Sequence, residues 1–309
     1  MISRAVVTGA SGFLGRHVVA HLEASGTEVW KLRSRFREPT TTSQISCTPK
    51  ALCDYLTQSR PDIVFHLAGV SQANSLSEYY QANVLYASTL LDALTLAKLQ
   101  DTTLALVGTA AEYGALEIDD LPAQEDGKTR PGGYYGESKL AQTRLAEMAI
   151  RQNRRIIVFR PSNIIGPGMS PNLAIGTFVT QLGAIARKQS ESVLHVGDLS
   201  TARDLIDVQD VSLLMLRLAE IPQAVGKVIN IATGRATRME DVLRSLQEMF
   251  LEAGYGPVRV ESRNKLSTGA SSPSHYSSTR RLIELVGEIP YTPLVESLSR
   301  ILAAELAHV

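Results

Sequence analysis

Residues 5–15 read Ala5-Val6-Val7-Thr8-Gly9-Ala10-Ser11-Gly12-Phe13-Leu14-Gly15, and this segment indicates the kind of fold the chain adopts. It begins as an apolar run, which predicts a buried strand, and continues into a helical periodicity that reaches Leu22. Between the two stand Gly9, Gly12 and Gly15. Glycines there allow a tight turn, close approach of a pyrophosphate and close packing of the helix on a sheet. The segment therefore predicts a strand, a dinucleotide-binding turn and a helix.

The alternation of strand and helix continues as far as Phe159. Further strands are predicted at Glu28–Leu32, Asp62–Leu67, Thr103–Val107 and Ile156–Phe159, with helices from Thr48-Pro49, over Leu76–Leu99 and from Tyr135 to Gln152. The strands are continuously apolar, a pattern typical of parallel sheets buried on both faces. We therefore predict an α/β fold, a doubly wound parallel Rossmann sheet.

The pattern changes after Arg160-Pro161, where glycines and prolines interrupt the chain. This change predicts a dinucleotide-binding domain over residues 1–166 and a smaller C-terminal substrate-binding lobe over 167–309. The apolar run Val228–Ile231 predicts that the segment 204–234 rejoins the sheet. Thr237 and Glu240 predict a capping box at the start of a helix, and Ser262–Ser278, rich in Ser and Gly, predicts a loop.

Composition limits the classes of protein to which the chain can belong. Of its 309 residues 44% are hydrophobic and 20% charged, and 31 Lys plus Arg balance 31 Asp plus Glu. A neutral chain gives no indication of a nucleic-acid or membrane partner. Cys47 and Cys53, the only cysteines, lack the spacing of metal ligands and suit a reducing cytosol. With no targeting leader or membrane-spanning run, we expect a cytoplasmic protein without a metal site.

The end of the second strand indicates which dinucleotide binds. An acidic residue there bonds to the ribose of NAD, whereas an arginine accommodates the extra phosphate of NADP. The strand runs into Arg33-Ser34-Arg35, and the first acidic residue after it is Glu38. The sequence therefore favours NADP(H), with NAD(H) possible.

A second group of residues predicts acid–base chemistry. Tyr135 and Lys139 are four residues apart, so on a helix they lie on one face. An ammonium beside a phenol lowers the phenol's pKa, which lets a tyrosine exchange a proton with an alcohol oxygen near neutral pH. Thr109 follows a predicted strand, at the edge where open sheets bind their ligands, and its hydroxyl can bond to a substrate oxygen. His66 receives no catalytic role.

Taken together, these motifs resemble a known family. The motifs are Thr8-Gly9-x-x-Gly12-x-x-Gly15, His66-Leu67-Ala68-Gly69, Asn83, Thr109 with Tyr113-Gly114, Tyr135-x-x-x-Lys139 and Arg160-Pro161-x-Asn163-x-x-Gly166-Pro167-Gly168. In this order they resemble the extended short-chain dehydrogenases/reductases, which comprise nucleotide-sugar dehydratases, epimerases and reductases. Within the family, Val196-Gly197-Asp198 and the segment Thr201–Asp210 are most similar to GDP-4-keto-6-deoxy-mannose reductases.

The resemblance implies a role for each matching position. Tyr135 would be the acid/base, Lys139 would hold the nicotinamide ribose, and Thr109 would bond the reacting oxygen. Cofactor-binding residues would be Gly9, Ser11, Gly12, Phe13, Leu14, Gly15, Arg33, Leu67, Ala68, Gly69, Asn83, Tyr135, Lys139, Arg160 and Pro161. Substrate-binding residues would be Ser71, Thr109, Glu112, Asn163, Val196 and Arg203, with Arg203 facing the pyrophosphate. For Arg203 an ion pair with Asp204 or Asp207 is the alternative.

Two departures from the family pattern are informative. Dehydratases of the family carry Asp-Glu directly after the catalytic Thr, where this chain has Ala110 and Ala111. Glu112 comes one residue later and, on an extended backbone, would point to the opposite face. Dehydration is therefore disfavoured. Many relatives also offer a second arginine to the pyrophosphate, for which Lys265, Arg280 and Arg281 are candidates.

The resulting hypothesis is NADPH-dependent reduction of the C4 ketone of a nucleoside-diphosphate 4-keto-6-deoxy sugar. The alternatives are a nucleotide-sugar 4-epimerase with tightly bound NAD, which uses the same residues, and a non-catalytic NADP-binding sensor. The apolar helices Leu76–Leu99 and Leu140–Ile150 either form the four-helix bundle of a family-like homodimer or only cover the sheet.

Overall fold

The computed structural model describes residues 2–35, 45–262 and 274–307, so that Glu38 and Lys265 lie outside the described residues. Its strands are β1 (Arg4–Thr8), β2 (Glu28–Leu32), β3 (Ser34–Arg35), β4 (Ile45–Ser46), β5 (Ile63–His66), β6 (Thr103–Val107), β7 (Ile156–Pro161), β8 (Asn163–Ile165), β9 (Val193–Val196), β10 (Ala202–Asp207), β11 (Val228–Ile231), β12 (Ala236–Arg238), β13 (Arg259–Ser262) and β14 (Ser274–His275). Its α-helices are α1 (Phe13–Ala24), α2 (Pro49–Ser59), α3 (Leu76–Tyr80), α4 (Tyr86–Leu96), α5 (Tyr134–Arg151), α6 (Ala174–Ala186), α7 (Val208–Ala219), α8 (Met239–Glu252), α9 (Arg280–Val286) and α10 (Leu294–Leu306).

A parallel sheet in the order β11-β7-β6-β5-β1-β2 forms the centre of the molecule. The chain first adds β2 on one side of β1 and then β5, β6 and β7 on the other. The strand order therefore reverses between β1 and β5, and in such sheets ligands bind in the crevice at this point. The predicted doubly wound sheet is confirmed, and Val228–Ile231 is its edge strand β11.

Both faces of the sheet are buried, which explains the continuous apolar runs. Val7 and Phe65 point into the core beneath α1 and α7, whereas their neighbours Val6 and Val64 point into the core beneath α2, α4 and α5. All four side chains are fully buried. Each contributes about 1.5–3 kcal/mol by leaving water, so the alternate side chains of a strand fix it on both faces.

The smaller C-terminal lobe has a core of its own. Phe178 of α6, Phe250 of α8 and Ile301 of α10 pack together in a cluster separate from the two beside the sheet. Around this cluster lie the short sheets β12-β10-β14, with β8 beside β10, and β13-β9. On this ground we propose the domain boundary near residue 166.

Three predictions of local structure are wrong. The predicted helix Leu76–Leu99 is interrupted by a π-helical turn, Gln81–Leu85, in which Tyr86 N–H bonds to the carbonyl of Gln81. The predicted capping box at Thr237 does not form, because Thr237 is in β12 and Arg238 is the N-cap of α8, without a side-chain bond. The predicted loop Ser262–Ser278 contains β14. Of the described helices, none has the length and apolar character needed to cross a bilayer.

Candidate active site

The glycine turn after β1 is built by backbone contacts that exclude side chains. Gly9 has φ +67°, and a Cβ placed on it would lie 2.7 Å from the amide nitrogen of Ala68, in the segment after β5. A Cβ on Gly15 would lie 2.0 Å from the carbonyl oxygen of Gly9. Gly12 is the N-cap of α1 and makes no side-chain cap bond. The turn therefore brings bare backbone and a helix N-terminus to the crevice of the sheet, where both favour anions.

A cleft of about 740 Å³ opens beside this turn. Of the predicted cofactor residues Gly9, Ser11, Arg33 and Ala68 line it, together with Arg16 and Lys31, which sequence reasoning missed. Their positions in the sequence could have indicated them, because Arg16 is on the first turn of α1 and Lys31 is two residues before Arg33. Arg16, Lys31 and Arg33 make the lining rich in positive charge. Of these three, Lys31 pairs with Glu23 at 2.9 Å.

Two of the predicted cofactor residues in this region face the core with their side chains. Leu14 and Leu67 pack against the cluster beneath α1 and α7. Phe13 contacts its own helix, with its ring 6.2 Å from that of His17 and the Arg16 guanidinium 5.5 Å above it.

Thr109 and Tyr135 come together in a second cleft, of about 710 Å³. Thr109 follows β6 and caps a 3-10 turn, Ala110–Glu112, whereas Tyr135 stands in the first turn of α5. Close packing brings the two elements together, since a Cβ on Gly136 would lie 2.7 Å from the carbonyl oxygen of Ala111. Burial raises the pKa of Tyr135, and a hydrogen bond with the Thr109 hydroxyl partly opposes that rise. The phenol is therefore protonated at neutral pH.

The expected net lowering of the pKa of Tyr135 is wrong, because burial raises that pKa and Lys139 is not among the groups that shift it. The Lys139 ammonium is buried and bonds to the carbonyl of Val107 at 2.6 Å and to Gln142 Oε1 at 2.8 Å. Burial lowers the pKa of Lys139 to about 8, so the side chain is still mostly an ammonium at neutral pH. It lies beneath the segment after β5, because a Cβ on Gly69 would be 3.6 Å from its nitrogen.

Glu112 and Arg160 form a buried ion pair. The expectations that Glu112 contacts the substrate and that Arg160 contacts the cofactor therefore need correction. Glu112 is fully buried and Arg160 is 1% exposed. The backbone is a 3-10 turn and not extended, which directs Glu112 inward. Its Oε2 accepts from Arg160 Nε at 2.8 Å and its Oε1 from the backbone N–H of Thr109 at 2.9 Å. Arg160 also donates to the hydroxyl of Tyr113 and the carbonyl of Glu125.

Opposing effects act on the two groups of this pair. Burial raises the pKa of Glu112 and outweighs the Arg160 charge and the Thr109 N–H, which lower it. Burial likewise opposes the charge on Arg160, but Glu112 and Tyr113 outweigh it and raise the pKa of the guanidinium. We take the ionised pair as the relevant state because each oxygen of Glu112 has a donor. The pair holds the backbone of Thr109 in place, because Glu112 accepts a hydrogen bond from the Thr109 N–H.

Asn163 and Arg203 line the same cleft as Thr109 and Tyr135. Asn163 donates to the carbonyl of Asp204 at 3.1 Å, and Arg203 donates to the carbonyl of Ala202 at 2.8 Å. The carboxylate of Asp204 is occupied elsewhere, since it accepts from Thr233, Gly234 and Ser277. Sequence reasoning missed His275, which also lines this cleft.

Other predicted site residues lie away from both clefts. Val196 is buried in the core of the smaller lobe. Asn83 is fully buried, accepting from Val70 N–H and donating to the Val70 carbonyl and to Ser138 Oγ. Its side chain therefore supports the segment after β5 from behind. Pro161 is buried at the end of β7, paired with Ile231, and Ser71 is exposed, its carbonyl accepting from Tyr79.

Neither described candidate for a second pyrophosphate ligand faces the cleft that holds Tyr135. Arg280 pairs with Glu284, and Arg281 pairs with Asp126 and bonds to the Val228 carbonyl. Both line a separate depression beside α9. In the part of the chain that the structure describes, no group of three His, Cys, Asp or Glu side chains is placed to hold a metal ion.

Comparison with known proteins identifies close relatives. The model of the "NAD dependent epimerase/dehydratase family" matches residues 5–232. GDP-6-deoxy-D-mannose reductase of Pseudomonas aeruginosa is 30% identical over 311 residues, covering 98% of this chain and 97% of that protein. The dTDP-6-deoxy-L-talose 4-dehydrogenase (NAD(P)(+)) of Kitasatospora kifunensis is 29% identical, covering 84% and 81%. UDP-glucose 4-epimerase of Azospirillum brasilense is 27% identical, covering 80% and 77%.

A solved structure agrees with these sequence relatives. The structure of RMD from Pseudomonas aeruginosa complexed with NADPH matches with a TM-score of 0.86 and 28% identity, covering 99% of this chain and all of that one. The family match covers most of the chain, including β1, the glycine turn and the Tyr135 helix. The chain belongs to the NAD dependent epimerase/dehydratase family, the extended short-chain dehydrogenases/reductases.

Proposed function

We propose that the chain reduces the C4 ketone of a nucleoside-diphosphate 4-keto-6-deoxy sugar with NADPH. The observation that carries the proposal is that Tyr135 and Thr109 line one cleft together with Asn163 and Arg203. Burial raises the pKa of the phenol, so Tyr135 holds its proton at neutral pH. A phenol in this state is a proton donor, which is what the reduction of a ketone to an alcohol requires. The relatives that support the substrate class are a GDP-6-deoxy-D-mannose reductase and a dTDP-6-deoxy-L-talose 4-dehydrogenase.

The residues of the first cleft fit NADP(H). The backbone of the glycine turn and the N-terminus of α1 would hold the pyrophosphate. A side chain on Gly9 or Gly15 would collide with the backbone of Ala68 or of Gly9, so the tight turn needs both glycines. Arg33 would bind the 2′-phosphate, and Lys139 would contact the nicotinamide ribose. When bound, NADPH supplies a hydride to a carbonyl carbon.

Tyr135 and Thr109 are the residues proposed to bind the ketone oxygen. Both hydroxyls would bond to that oxygen, and Tyr135 would deliver its proton as negative charge develops there. Glu112 holds the backbone of Thr109 through its N–H, so the hydroxyl is oriented before substrate arrives. Lys139, anchored on Val107 at the end of β6, would stabilise the phenolate left behind.

The second cleft suits an anionic sugar nucleotide and lacks the groups for dehydration. Arg203 would bind the pyrophosphate, and Asn163 would contact the sugar close to Tyr135. Among the described residues lining this cleft there is no carboxylate, and Ala110 and Ala111 stand where a dehydratase has its acid and base. The geometry therefore favours reduction over elimination of water.

Turnover of a panel of 4-keto-6-deoxy sugar nucleotides tests the proposal. We expect NADPH, followed at 340 nm, to be consumed with at least one GDP- or dTDP-linked 4-keto-6-deoxy sugar, with NADH used less efficiently. Stereochemistry of the product at C4 would then identify the sugar that is made. Absence of NADPH consumption with every member of the panel would contradict the proposed reaction.

The same assay separates the two alternatives. A nucleotide-sugar 4-epimerase would carry NAD through purification and interconvert UDP-glucose and UDP-galactose without added cofactor. A non-catalytic NADP-binding sensor would bind NADPH but turn over none of these compounds. Epimerase relatives keep the first alternative open, whereas an arginine in place of an acid after β2 argues against it.

Arg33 is expected to set the preference for NADPH. Arg33→Ala removes the charge that we propose for the 2′-phosphate, and a hydrogen bond to a charged group contributes about 1.5–3 kcal/mol. We therefore expect the KM for NADPH to rise roughly 10- to 100-fold, with the KM for NADH changing little. NADH is the internal control, and an equal rise for both cofactors would show that Arg33 is not the selectivity residue.

We also propose that the protein is a cytoplasmic homodimer. Apolar side chains on α3 and on the turn after it remain exposed, with Leu76 46% and Leu85 51% accessible, and Met148 of α5 is 55% accessible. A second copy would cover these residues by pairing the two helical regions. A solution mass near 33.5 kDa by light scattering, that of one chain, would contradict the dimer.

A further inference from the structure

Gln142 lies three residues after Lys139 on α5, so the two side chains share one face of the helix. Its Oε1 accepts a hydrogen bond from Lys139 Nζ at 2.8 Å, and the carbonyl of Val107, at the end of β6, accepts a second one at 2.6 Å. An ammonium has three N–H donors, so these two acceptors leave one donor for a ligand. Two acceptors on different elements therefore determine how the ammonium is oriented.

The amide of Gln142 is surrounded by an apolar core. The residue is 1% exposed, and Ala146 and Ala149, on the same side of α5, pack into the cluster beneath α2, α4 and α5. Its Nε2 has no hydrogen-bond partner among the residues that the structure describes, although buried polar groups are normally paired. An apolar side chain of the same length would fill the space without an unpaired donor. The bond from Lys139 is the interaction that accounts for a glutamine at this position.

The ammonium that Gln142 holds lies next to the segment after β5. A Cβ on Gly69 would be 3.6 Å from Lys139 Nζ, and the preceding residue, Ala68, lines the cleft beside the glycine turn. Tyr135, which lines the second cleft, is one helical turn before Lys139. A change in the orientation or charge of the ammonium would therefore act on the contacts proposed for Lys139 with the nicotinamide ribose and the Tyr135 phenolate.

We propose that Gln142 is a positioning residue for the reduction, which holds the Lys139 ammonium in place and keeps it charged through its Oε1. The inference rests on the proposed function, in which Lys139 is the cationic group. Gln142 is not among the described residues that line either cleft, so it acts through Lys139. Without its oxygen, the buried ammonium would keep only the Val107 carbonyl of these two acceptors, which disfavours the charged form.

The groups that face Lys139 from neighbouring elements make it the one expected to titrate near pH 8. Burial lowers the pKa of Lys139 to about 8, and Glu112, in the turn after β6, raises it. His66, at the end of β5, has a pKa of about 3 and is neutral from pH 6 upward. Burial raises the pKa of Tyr135 on α5, so that phenol keeps its proton.

Titration of Lys139 by NMR tests the inference without any need for turnover. In protein labelled with carbon-13 at lysine Cε, the Lys139 resonance, assigned by its loss in Lys139→Arg, should titrate with a midpoint of about 8. Gln142→Met keeps the length of the side chain but removes the amide, and should lower that midpoint by about one unit. Gln142→Glu keeps an acceptor and adds a negative charge, so it should raise the midpoint.

Gln181→Met is the matched control. Gln181 is a glutamine of α6 whose amide bonds to the backbone of Thr177 and His195, in the smaller lobe. The same change there should leave the midpoint of Lys139 unchanged. An unchanged midpoint in Gln142→Met, or equal shifts in the two methionine variants, would overturn the inference.

The pH dependence of turnover connects Gln142 to the reduction. With a keto sugar that wild type reduces, the fall of kcat with rising pH should begin about one unit lower in Gln142→Met. The KM for the sugar should stay within about threefold, since Gln142 acts through Lys139. An unchanged pH profile in a variant whose Lys139 midpoint has moved would overturn the positioning role. A wild type whose midpoint behaves as expected but which reduces no keto sugar would refute the reaction alone.

A measurement on the wild type keeps the test valid where a variant fails to fold. The side-chain amide resonances of Gln142, followed with nitrogen-15, should shift with the same midpoint as Lys139 Cε, because the group bonded to Oε1 loses its charge there. Amide resonances that do not move across that midpoint would overturn the inference.

Discussion

Tyr135→Phe is expected to lower kcat for reduction of the keto sugar by about 10²- to 10⁴-fold, the usual contribution of a positioned proton donor. The substitution removes only the phenol oxygen of Tyr135, which lines the same cleft as Thr109. Because the phenol is protonated at neutral pH, the variant loses the acid itself. The affinity for NADPH, which other residues are proposed to hold, should remain within a few fold of wild type by fluorescence titration.

Tyr134→Phe is the matched control. Tyr134 precedes Tyr135 on α5, lines the same cleft and is 62% exposed. The same oxygen is removed from a side chain in the same turn, but one without the bond to Thr109, so kcat should change less than about threefold. Equal losses in the two variants, or a Tyr135→Phe variant as fast as wild type, would refute the role of Tyr135.

Glu112→Gln is expected to destabilise the fold by about 3–5 kcal/mol, because it leaves a buried guanidinium without its counter-charge. The two oxygens of Glu112 each accept from a different donor, Thr109 N–H and Arg160 Nε. A glutamine has one acceptor oxygen, so its NH₂ must face one of those donors. Total stabilities are about 5–15 kcal/mol, and urea unfolding measures a loss of this size.

Arg160→Met should destabilise less than Glu112→Gln does at low pH, since a lone carboxyl can take up a proton and a guanidinium keeps its charge. Without Arg160 the folded-state pKa of Glu112 lies above its unfolded value, near 4.3. The destabilisation due to that carboxyl is therefore absent below the unfolded pKa and grows as pH rises toward the folded one. We expect the gap between Arg160→Met and wild type to widen from pH 5 to pH 7.

A double-mutant cycle and an exposed pair provide the controls. The variant carrying both changes should recover part of the sum of the single losses, because neither charge is then left unpaired. Arg280 and Glu284 pair at 3.1 Å with side chains 85% and 61% exposed, and Arg280→Ala should cost only about 0.3–0.5 kcal/mol. Additive losses in the buried pair would indicate that its charges do not interact.

Features that depend on neighbours in sequence could be predicted. The parallel sheet follows from continuous apolar strands, and the glycine turn follows from three glycines at a strand end. Thr109 comes just after β6, and Tyr135 lies in the first turn of α5. The two residues meet because both lie at the same edge of the sheet. Arg33 could be placed at the cleft beside the glycine turn from its position after β2.

Features that depend on long-range contacts could not be predicted from the sequence. Glu112 and Arg160 are 48 residues apart, and only the fold brings the carboxylate onto the guanidinium. Neither residue alone carries a signal that distinguishes an inward ion pair from a ligand contact. His275 was missed because its segment is polar and irregular, and its position depends on pairing with β10. The pKa of Tyr135 was predicted with the wrong sign because the sequence does not show how deeply the fold buries the phenol.

The π-helical turn Gln81–Leu85 has a consequence for comparing this protein with its relatives. Such a turn holds one residue more than an ordinary helix, and one residue rotates a helix by about 100°. That residue fixes the rotation of α3, on which Tyr79 lies with its ring 6.5 Å from that of Tyr135. In a relative with a one-residue gap here, we expect a different side chain to face the tyrosine that corresponds to Tyr135.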